Sequence, residues 1–546
     1  MKNPTKNRRN GSARNTRLTT VLFLLTPLVV VGCTAACGGG NPAPIVPPTG
    51  LFSTASLNGT YAFSLSGEDS AGSSIFRIGS FQADGQGNIS AAIEDVNDSG
   101  TIEAFQFLPA PASLYTIASN GKGSVLLAHN DPVTAGLVDQ FQFTLALTST
   151  SGGVMIETDG SSTMSGTFTL QNITSNFAAS YAFDTSGLDI DINAGSPESI
   201  VGAFTTNGSN SILGGTLDDN DGALLSGPVG ISPGFLTTDP TFFTQFGRGE
   251  FQVNTNVGGN LFALTFEFYV IDGSHIQFVE TDGFKATVGS AIAQSNVPAN
   301  VSQFPGSFVL AVGGAADTGA LTRVGRYTTD ASGNVSAVAL DQNIGTEGPT
   351  VFPASTSAVS AFTYTIDPSA DGRGTLTLTD KNSGDVFSYV FYLASPTQGF
   401  IQDDSGDVVA DGSLSAQTAT NISASSLAGS YAFNWTGTNN QIADAEEDFA
   451  GVFTFPSGGG ALTNGDVDYL QFGFANPQLN QSFTGALTIN GSGTGGGAAG
   501  NTLQITTSNA NPSKANFRVY AISNTSFMIV GVDSGREILG PLTLQQ

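Results

Sequence analysis

The chain has 546 residues, a formal net charge of −27 and only 11% charged residues, while 69 positions are glycine. So acidic a chain repels phosphate backbones and anionic lipid heads, which argues against nucleic-acid binding and against electrostatic docking on a membrane. Its two cysteines, Cys33 and Cys37, lie near the amino terminus, so the rest of the chain has neither a disulfide nor thiol chemistry.

Residues 1–32 predict an export signal. Six basic residues and no acid accompany an apolar run from Leu18 to Val31, which is too short to span a membrane. The segment Val30-Val31-Gly32-Cys33 resembles the lipobox of bacterial lipoproteins. That resemblance implies cleavage before Cys33 and lipidation of its thiol, with Cys37 as the alternative site.

Residues 33–55 predict a tether, because a run of three glycines is followed by a proline-rich stretch that favours extended polyproline II. Without the signal, 11 basic residues face 44 acidic ones, a net charge of −33. We therefore expect a cell-envelope protein, held at the outer membrane through its lipid alone.

Four copies of one unit fill the rest of the chain. Each opens on an aromatic residue, and the openings lie 120, 127 and 123 residues apart, at Tyr61, Tyr181, Phe308 and Tyr431. A unit of about 120 residues is large enough to have its own core. The pattern predicts four tandem domains, at residues 56–171, 176–294, 303–417 and 425–546.

Short alternating apolar runs between turn residues predict an all-β protein. In the first unit nine such runs follow one another with hairpin-length loops, which indicates an antiparallel up-and-down meander. Closure into a small β-barrel is favoured over a two-sheet β-sandwich, since it removes exposed strand edges. The predicted strands of this unit are 60–65, 76–83, 88–95, 105–108, 114–118, 124–129, 141–147, 154–157 and 166–170.

The first strand of three units begins with Gly-x-aromatic, at Gly59-Thr60-Tyr61, Gly306-Ser307-Phe308 and Gly429-Ser430-Tyr431. This start resembles the Gly-x-Trp of lipocalins and other calycin barrels, and the resemblance implies a small barrel. The second unit has Ala179 in place of the glycine, and every unit lacks the tryptophan and the closing arginine of that family.

In every unit an aspartate recurs six residues after the hydrophobic residue that opens the third strand, and an asparagine follows two positions later in three of the units. Oxygen ligands that alternate along one short loop suit a hard cation such as calcium. The same pattern also fits an aspartate that ends the strand in an Asx turn. The candidate calcium ligands are Asp95, Asn97, Asp98, Asp218, Asn220 and Asp221.

Two further polar patterns recur. The pairs Glu157/Asp159 and Glu280/Asp282 are candidate glycosidase carboxylates, but residues two apart on one strand do not converge on a cleft, so we expect solvated hairpins. A basic residue recurs at one hairpin tip, where solvation is expected and an anionic ligand is the alternative. These tip residues are Lys122, Arg248 and Arg373.

The sequence contains no nucleophile elbow, zinc-protease motif, phosphate loop or nucleotide fingerprint. We therefore predict a non-catalytic, lipid-anchored protein that displays β-domains for binding, adhesion or envelope architecture, with a surface glycan or protein as partner. It is similar to the secreted multi-repeat lipoproteins of environmental bacteria, a resemblance that implies no activity. The alternatives are a carrier of small apolar ligands in the barrel interiors and a carbohydrate-active enzyme.

The lipobox gives a direct prediction. Cys33→Ser removes the thiol that carries the lipid, so the variant should leave the membrane fraction or remain uncleaved, as fractionation and blotting will show. If Cys33→Ser changes nothing while Cys37→Ser releases the protein, then Cys37 is the lipidated residue.

Overall fold

Runs of β-branched and aromatic residues, interrupted by glycine-rich turns, fold here into antiparallel strands. The computed structural model describes residues 51–130, 138–191, 195–257, 260–352, 359–368, 371–380, 384–419, 422–423, 426–442, 445–457, 460–473, 477–489, 501–507 and 514–546. The predicted signal, both cysteines and most of the predicted tether lie outside these residues. No helix of the described part is long and apolar enough to cross a membrane.

Barrel 1 follows a 3₁₀ turn at Thr54–Ser56 and contains nine strands in the order β4-β3-β2-β1-β9-β8-β7-β6-β5. Every strand predicted for this unit is present, and the first strand pairs with the last, with Tyr61 opposite Leu170. The strands are β1 (Asn58–Asp69), β2 (Ser74–Asp84), β3 (Ile89–Asp98), β4 (Thr101–Phe107), β5 (Leu114–Ile117), β6 (Lys122–Asn130), β7 (Val138–Ser149), β8 (Gly152–Glu157) and β9 (Ser162–Leu170).

Barrel 2 repeats this meander and closes fully, because its second and third strands also pair. A single short helix, α1 (Phe243–Phe246), precedes the sixth strand. The strands are β10 (Ser180–Asp189), β11 (Pro197–Thr206), β12 (Ser211–Asp221), β13 (Leu224–Ser232), β14 (Gly234–Thr238), β15 (Arg248–Val257), β16 (Asn260–Asp272), β17 (His275–Glu280) and β18 (Lys285–Ala293).

Barrel 3 has the strand order of barrel 1, with 3₁₀ turns at Val301–Gln303 and Gly345–Glu347. Its strands are β19 (Gly306–Ala316), β20 (Gly319–Thr329), β21 (Val335–Ile344), β22 (Gly348–Phe352), β23 (Val359–Ile366), β24 (Arg373–Asp380), β25 (Val386–Ser395), β26 (Gln398–Asp403) and β27 (Val408–Ala416).

Barrel 4 is closed and has eight strands, with a 3₁₀ turn at Asn440–Ile442. Its strands are β28 (Gly429–Asn439), β29 (Ala445–Phe455), β30 (Thr463–Gln471), β31 (Gln478–Thr488), β32 (Thr502–Thr507), β33 (Lys514–Ala521), β34 (Ser526–Gly531) and β35 (Arg536–Leu544).

The predicted fold class is therefore confirmed: the protein is all-β, built of antiparallel meanders that curl into barrels. Barrels 2 and 4 are closed, whereas in the described residues of barrels 1 and 3 the fourth and fifth strands do not form a ladder. The four predicted domain boundaries stay a prediction, since contacts gather residues 50–546 into one compact unit.

Strand alternation divides the apolar side chains between two kinds of core. One set fills the barrel interiors with aromatic rings, as where Tyr61 stacks on Phe81 with ring centres 5.5 Å apart. The other set points outward and is buried just as fully. Ala62, between the interior residues Tyr61 and Phe63, packs with Tyr269 and Ile271 of barrel 2.

Four outward clusters join the barrels in a ring, and we call each contact a joint. Ile78 meets Tyr269 at joint 1–2, Val201 meets Tyr392 at joint 2–3, and Val324 meets Tyr520 at joint 3–4. At joint 4–1 the last barrel returns to the first, where Val452 packs against Ile156. The sequence predicted four tandem domains and did not predict that the array closes on itself.

Candidate functional site

The recurring aspartate of barrel 1 lies at joint 1–2. Arg248 of barrel 2 donates two parallel hydrogen bonds to Asp95, from Nε to Oδ2 and from Nη2 to Oδ1, both at 2.8 Å. The Tyr269 hydroxyl donates a third, at 2.8 Å, to Oδ2. Asp95 is 2% exposed and the Arg248 side chain 18%, so this bidentate pair is largely shielded from water and fixes the orientation of one barrel against the other.

Joint 2–3 repeats this arrangement. Arg373 of barrel 3 donates from Nε and Nη2 to the two carboxylate oxygens of Asp218, both at 2.7 Å, and Tyr392 donates its hydroxyl proton at 2.7 Å. The prediction of solvated basic tips was therefore wrong for Arg248 and Arg373. Each guanidinium is partly buried because the preceding barrel covers it.

Joint 3–4 lacks the guanidinium contact. The Tyr520 hydroxyl donates to Asp341 Oδ2 at 2.6 Å, and no hydrogen-bond donor of the described residues reaches Oδ1. The tip residues of the fourth unit, 491–493, lie outside the described residues. Burial raises the pKa of Asp341 to about 6, and the tyrosine hydrogen bond only partly opposes this rise.

Joint 4–1 uses a lysine. Lys122 Nζ lies 2.5 Å from Asp468 and 3.2 Å from Asp466, and the lysine side chain is only 7% exposed. It is therefore a buried ion pair and not the solvated tip that the sequence predicted. Ala146 takes the place of the joint tyrosine, since it is paired with Lys122 as Tyr269 is with Arg248. The apolar contact of Ala146 with Leu470 replaces the tyrosine hydrogen bond.

Asparagine side chains two residues after the aspartate bind the next barrel through its backbone. Asn97 donates to the carbonyls of Glu280 at 2.8 Å and Lys285 at 3.1 Å. Asn220 and Asn343 make the equivalent bonds to barrels 3 and 4. These amides bind backbone carbonyls at the strand ends of the next barrel, so the Asp-x-Asn pattern is a contact motif between barrels.

A recurring glutamine at the end of each unit completes every joint. Gln545, near the carboxyl terminus, donates to the carbonyls of Asn120 at 3.0 Å and Leu147 at 2.7 Å in barrel 1. A Cβ on Gly121 would lie 2.7 Å from Gln545 Nε2, and the backbone there has a φ of +86°. Gly121 is thus favoured both by its left-handed backbone and by the approach of the glutamine. The equivalent glutamines are Gln171, Gln294 and Gln417.

The structure separates the six candidate calcium ligands by strand face. Asp95 and Asn97 point into joint 1–2, and Asp218 and Asn220 point into joint 2–3, as the bonds above show. Residues of opposite parity on the same strand point to the other face, so Asp221 joins Asp189 and Glu198 at one end of barrel 2. Asp98 lies opposite Ile75 in barrel 1. Calcium binding by the six residues stays a prediction.

The two carboxylate pairs that were expected in solvated hairpins are each divided between a buried glutamate and an aspartate in a turn. Asp159 and Asp282 do cap exposed turns, each accepting a backbone hydrogen bond within its turn. Glu157 and Glu280 are fully buried, which overturns the expectation for them. They point inward because they follow interior residues by two positions, as Glu157 follows Met155.

Buried ion pairs occupy the interior of barrel 1 around Glu157. Arg77 Nη1 lies 2.9 Å from Glu94, its Nε lies 3.5 Å from Glu157, and Phe141 covers the guanidinium at 4.2 Å. Burial raises the pKa of Glu94 to about 7 in spite of Arg77. Since Glu94 and Glu157 are 1% and 0% exposed, a substrate has no access to this pair in the structure.

Clefts with both polar and apolar lining lie at joints 4–1 and 1–2. One of about 230 Å³ lies at joint 4–1 between Asp69, Ser161 and Gln471. The other, of about 210 Å³, lies at joint 1–2 between Ser66 and Asp184. Burial raises the pKa of Asp184 to about 7, although Ser290 donates to it from both its amide and its hydroxyl.

The joint tyrosines and the interior Arg77 were missed from the sequence. For the tyrosines a repeated pattern exists: Tyr269 and Tyr392 occupy the same register position in their barrels, opposite Arg248 and Arg373. Strand alternation places such residues on a face, but it does not say which distant barrel covers that face.

Comparisons with known proteins give little beyond this geometry. No protein-family model matches the chain, and no curated protein sequence matches it. Similar solved structures include a double mutant of Transferrin Binding Protein B from Haemophilus parasuis Hp5, at 12% identity and a TM-score of 0.18, covering 94% of this chain and 98% of that chain. Intact Ap-TbpB, with its N and C lobes, covers the same shares at 10% identity and a TM-score of 0.18. At these values the similarity carries no argument about function.

The joints predict unequal effects of matched substitutions. Asp95→Ala leaves the buried Tyr269 hydroxyl without its acceptor and removes the bidentate partner of Arg248, which keeps its ion pairs with Asp239 and Glu267. It should therefore lower the free energy of unfolding by about 2 to 3 kcal/mol, below the roughly 3 to 5 kcal/mol of a buried charge that loses its sole partner. Asp341→Ala removes one tyrosine hydrogen bond and should cost about 1 kcal/mol. Urea unfolding of residues 50–546 measures both, and equal losses would contradict the assigned role of the guanidinium.

The buried carboxyls predict a pH dependence. The pKa of Glu94, Asp184 and Asp341 is raised in the folded chain, which therefore holds protons that the unfolded chain loses between about pH 4 and pH 7. The free energy of unfolding should fall as pH rises through this window. Burial lowers the pKa of His275, which acts in the opposite direction.

The urea midpoint should accordingly be higher at pH 5.5 than at pH 7.5. Asp184→Asn, which keeps the acceptor oxygen for Ser290, should reduce the difference, whereas general repulsion among the surface acids would leave it unchanged. A midpoint that rises with pH would refute the assignment.

Proposed function

We propose that this chain is a lipid-anchored protein of the cell envelope whose four-barrel ring acts as a rigid platform for binding a surface glycan or protein. The observation that carries the proposal is the closure of the ring. Recurring polar residues hold each barrel to the next, and Gln545 and Lys122 hold the last barrel to the first. Such a ring fixes the spacing between its outward loops.

The joint clefts supply chemistry that suits a sugar. Serine hydroxyls, the Gln471 amide and the Asp69 carboxylate line the cleft at joint 4–1. Hydroxyls, amides and carboxylates are the groups that hydrogen-bond sugar hydroxyls. Volumes of about 230 and 210 Å³ lie below the range of about 300–1,000 Å³ that is usual for drug-sized ligands, so each cleft suits one small group at a time.

The alternatives receive less support. The carrier hypothesis requires an apolar cavity, whereas in the described barrels the interior positions are packed with stacked rings and ion pairs. The enzyme hypothesis requires convergent acids in a cleft, whereas Glu94 and Glu157 are buried beside Arg77.

A glycan and cell-surface binding screen on residues 50–546 tests the platform. The intact ring should bind, and Lys122→Ala combined with Gln545→Ala should weaken binding at least about tenfold, because an open ring no longer holds several contacts in one geometry. Asp330→Asn, in an exposed turn of barrel 3, is the matched control. Failure of the intact ring to bind glycans and cells, or equal binding by the opened ring, would reject the platform function.

A further inference from the structure

Joint 4–1 differs from joints 1–2 and 2–3 in the basic residue that meets the recurring aspartate. An arginine meets it at those two joints, whereas Lys122 meets Asp468 at joint 4–1. A guanidinium group stays charged and does not attack a carboxyl group, but a desolvated lysine amine can act as a nucleophile. The change from arginine to lysine therefore alters the chemistry that this joint can perform.

The amine and the carboxyl group of joint 4–1 lie within reach of each other. Lys122 Nζ is 2.5 Å from Asp468 Oδ2, and Cγ lies one bond beyond that oxygen. Well-oriented reacting atoms about 3 to 3.5 Å apart behave as though present at about 10⁵ to 10⁸ M. The backbone amide of Asn480 donates a hydrogen bond to Asp468 Oδ1 at 2.7 Å, so it stabilises negative charge that develops on this oxygen.

A second carboxyl group contacts the same amine. Lys122 Nζ donates a hydrogen bond to Asp466 Oδ1 at 3.2 Å, and Asp466 precedes Asp468 by two residues on the same face of β30. The Asp466 side chain is 28% exposed, whereas the side chains of Lys122 and Asp468 are 7% and 1% exposed. A carboxylate in this position can accept a proton from an attacking nitrogen and pass it to a leaving oxygen.

Burial favours a neutral product over the ion pair. The apolar cluster of joint 4–1 flanks both partners, since Ala146 lies opposite Lys122 and Ala450 lies opposite Asp468 in their ladders. An ammonium and a carboxylate lose hydration in such surroundings, which costs free energy, whereas an amide carries no net charge. The restricted access of water also disfavours hydrolysis of an amide formed there.

We propose that Lys122 and Asp468 join in an isopeptide bond between Nζ and Cγ, with Asp466 transferring a proton. Transfer of one proton from the ammonium to the Asp468 carboxylate gives a neutral amine and a carboxylic acid. The nitrogen lone pair then attacks Cγ, and Asp466 takes a proton from the nitrogen. Asp466 passes this proton to the Oδ2 hydroxyl, which leaves as water when its C–O bond breaks.

One amide and one water molecule replace the ion pair, so the step requires no oxidant, reductant or cofactor. The bond links β6 of barrel 1 to β30 of barrel 4 and closes the ring covalently, whereas joints 1–2 and 2–3 stay noncovalent. The inference concerns how the ring is closed and does not depend on the proposed platform function.

Mass spectrometry of the full chain, purified in detergent and digested with trypsin, tests the bond. Trypsin does not cut after a lysine that is acylated at Nζ. The digest should therefore contain a branched peptide, lighter than its two parts by one water molecule, and fragmentation should place the branch at Lys122 and Asp468. Lys122→Arg keeps a positive charge beside Asp468 but cannot condense, so it should remove the branched peptide. Lys285→Arg, which changes another buried lysine beside a carboxylate, is the matched control and should leave the branch in place.

Asp466→Asn tests the proton transfer, and it provides the second variant if Lys122→Arg does not fold, as circular dichroism will show. General acid–base catalysis contributes about 10²- to 10⁴-fold, so a folded Asp466→Asn chain should remain mostly unlinked. Complete cleavage after Lys122 in the unaltered chain, a branch at Asp466, or a branch that persists in Lys122→Arg would overturn the bond. Full linkage in Asp466→Asn would overturn the role of Asp466.

Discussion

The carboxylate that each barrel presents to its neighbour is the contact on which the ring depends. A head-to-tail contact between like units closes only if its rotation brings the last unit back to the first, and otherwise it extends into a filament. In this protein four joints bring the last barrel back to the first and close the ring. The bidentate pair of Asp95 and Arg248 fixes an angle as well as a distance, which a purely apolar contact such as that of Ala62 with Ile271 does not.

This constraint explains why both faces of several strands are buried. In an isolated barrel, alternate residues face water, yet Ala62 and Ala182 lie between interior aromatics and are themselves fully covered by a neighbour. Small residues at these positions let sheets approach closely. Most charged groups in the covered regions described above have an ion-pair partner. At Asp341, where the Tyr520 hydroxyl takes that role, burial shifts the pKa of the carboxyl upward.

The sequence was sufficient for local structure because strand signals are local. All nine strands of the first unit follow from alternation and turn residues, and so does closure of the first strand on the last. The role of Asp95 in the contact between barrels could not be predicted from the local sequence. Its pattern was recognised, but its partner Arg248 is 153 residues away in the chain, and no local rule connects them. Glu157 could have been placed inside the barrel, since it keeps the parity of Met155. The solvated turn was expected because residues two apart on one strand do not converge on a cleft, and that expectation holds for Asp159 alone of this pair.

The four joints are not interchangeable, because joint 4–1 differs chemically from the others. Joints 1–2 and 2–3 bring together an asparagine, an arginine and a tyrosine, whereas joint 4–1 pairs Leu470 with Ala146 beside a lysine. If barrel 2 docked on barrel 1 of another chain, the Asn220 amide would lie where Leu470 fits. A buried amide without an acceptor costs about 1 to 3 kcal/mol. The contacts between the barrels therefore specify the order in which the barrels follow one another, which disfavours the exchange of barrels between chains.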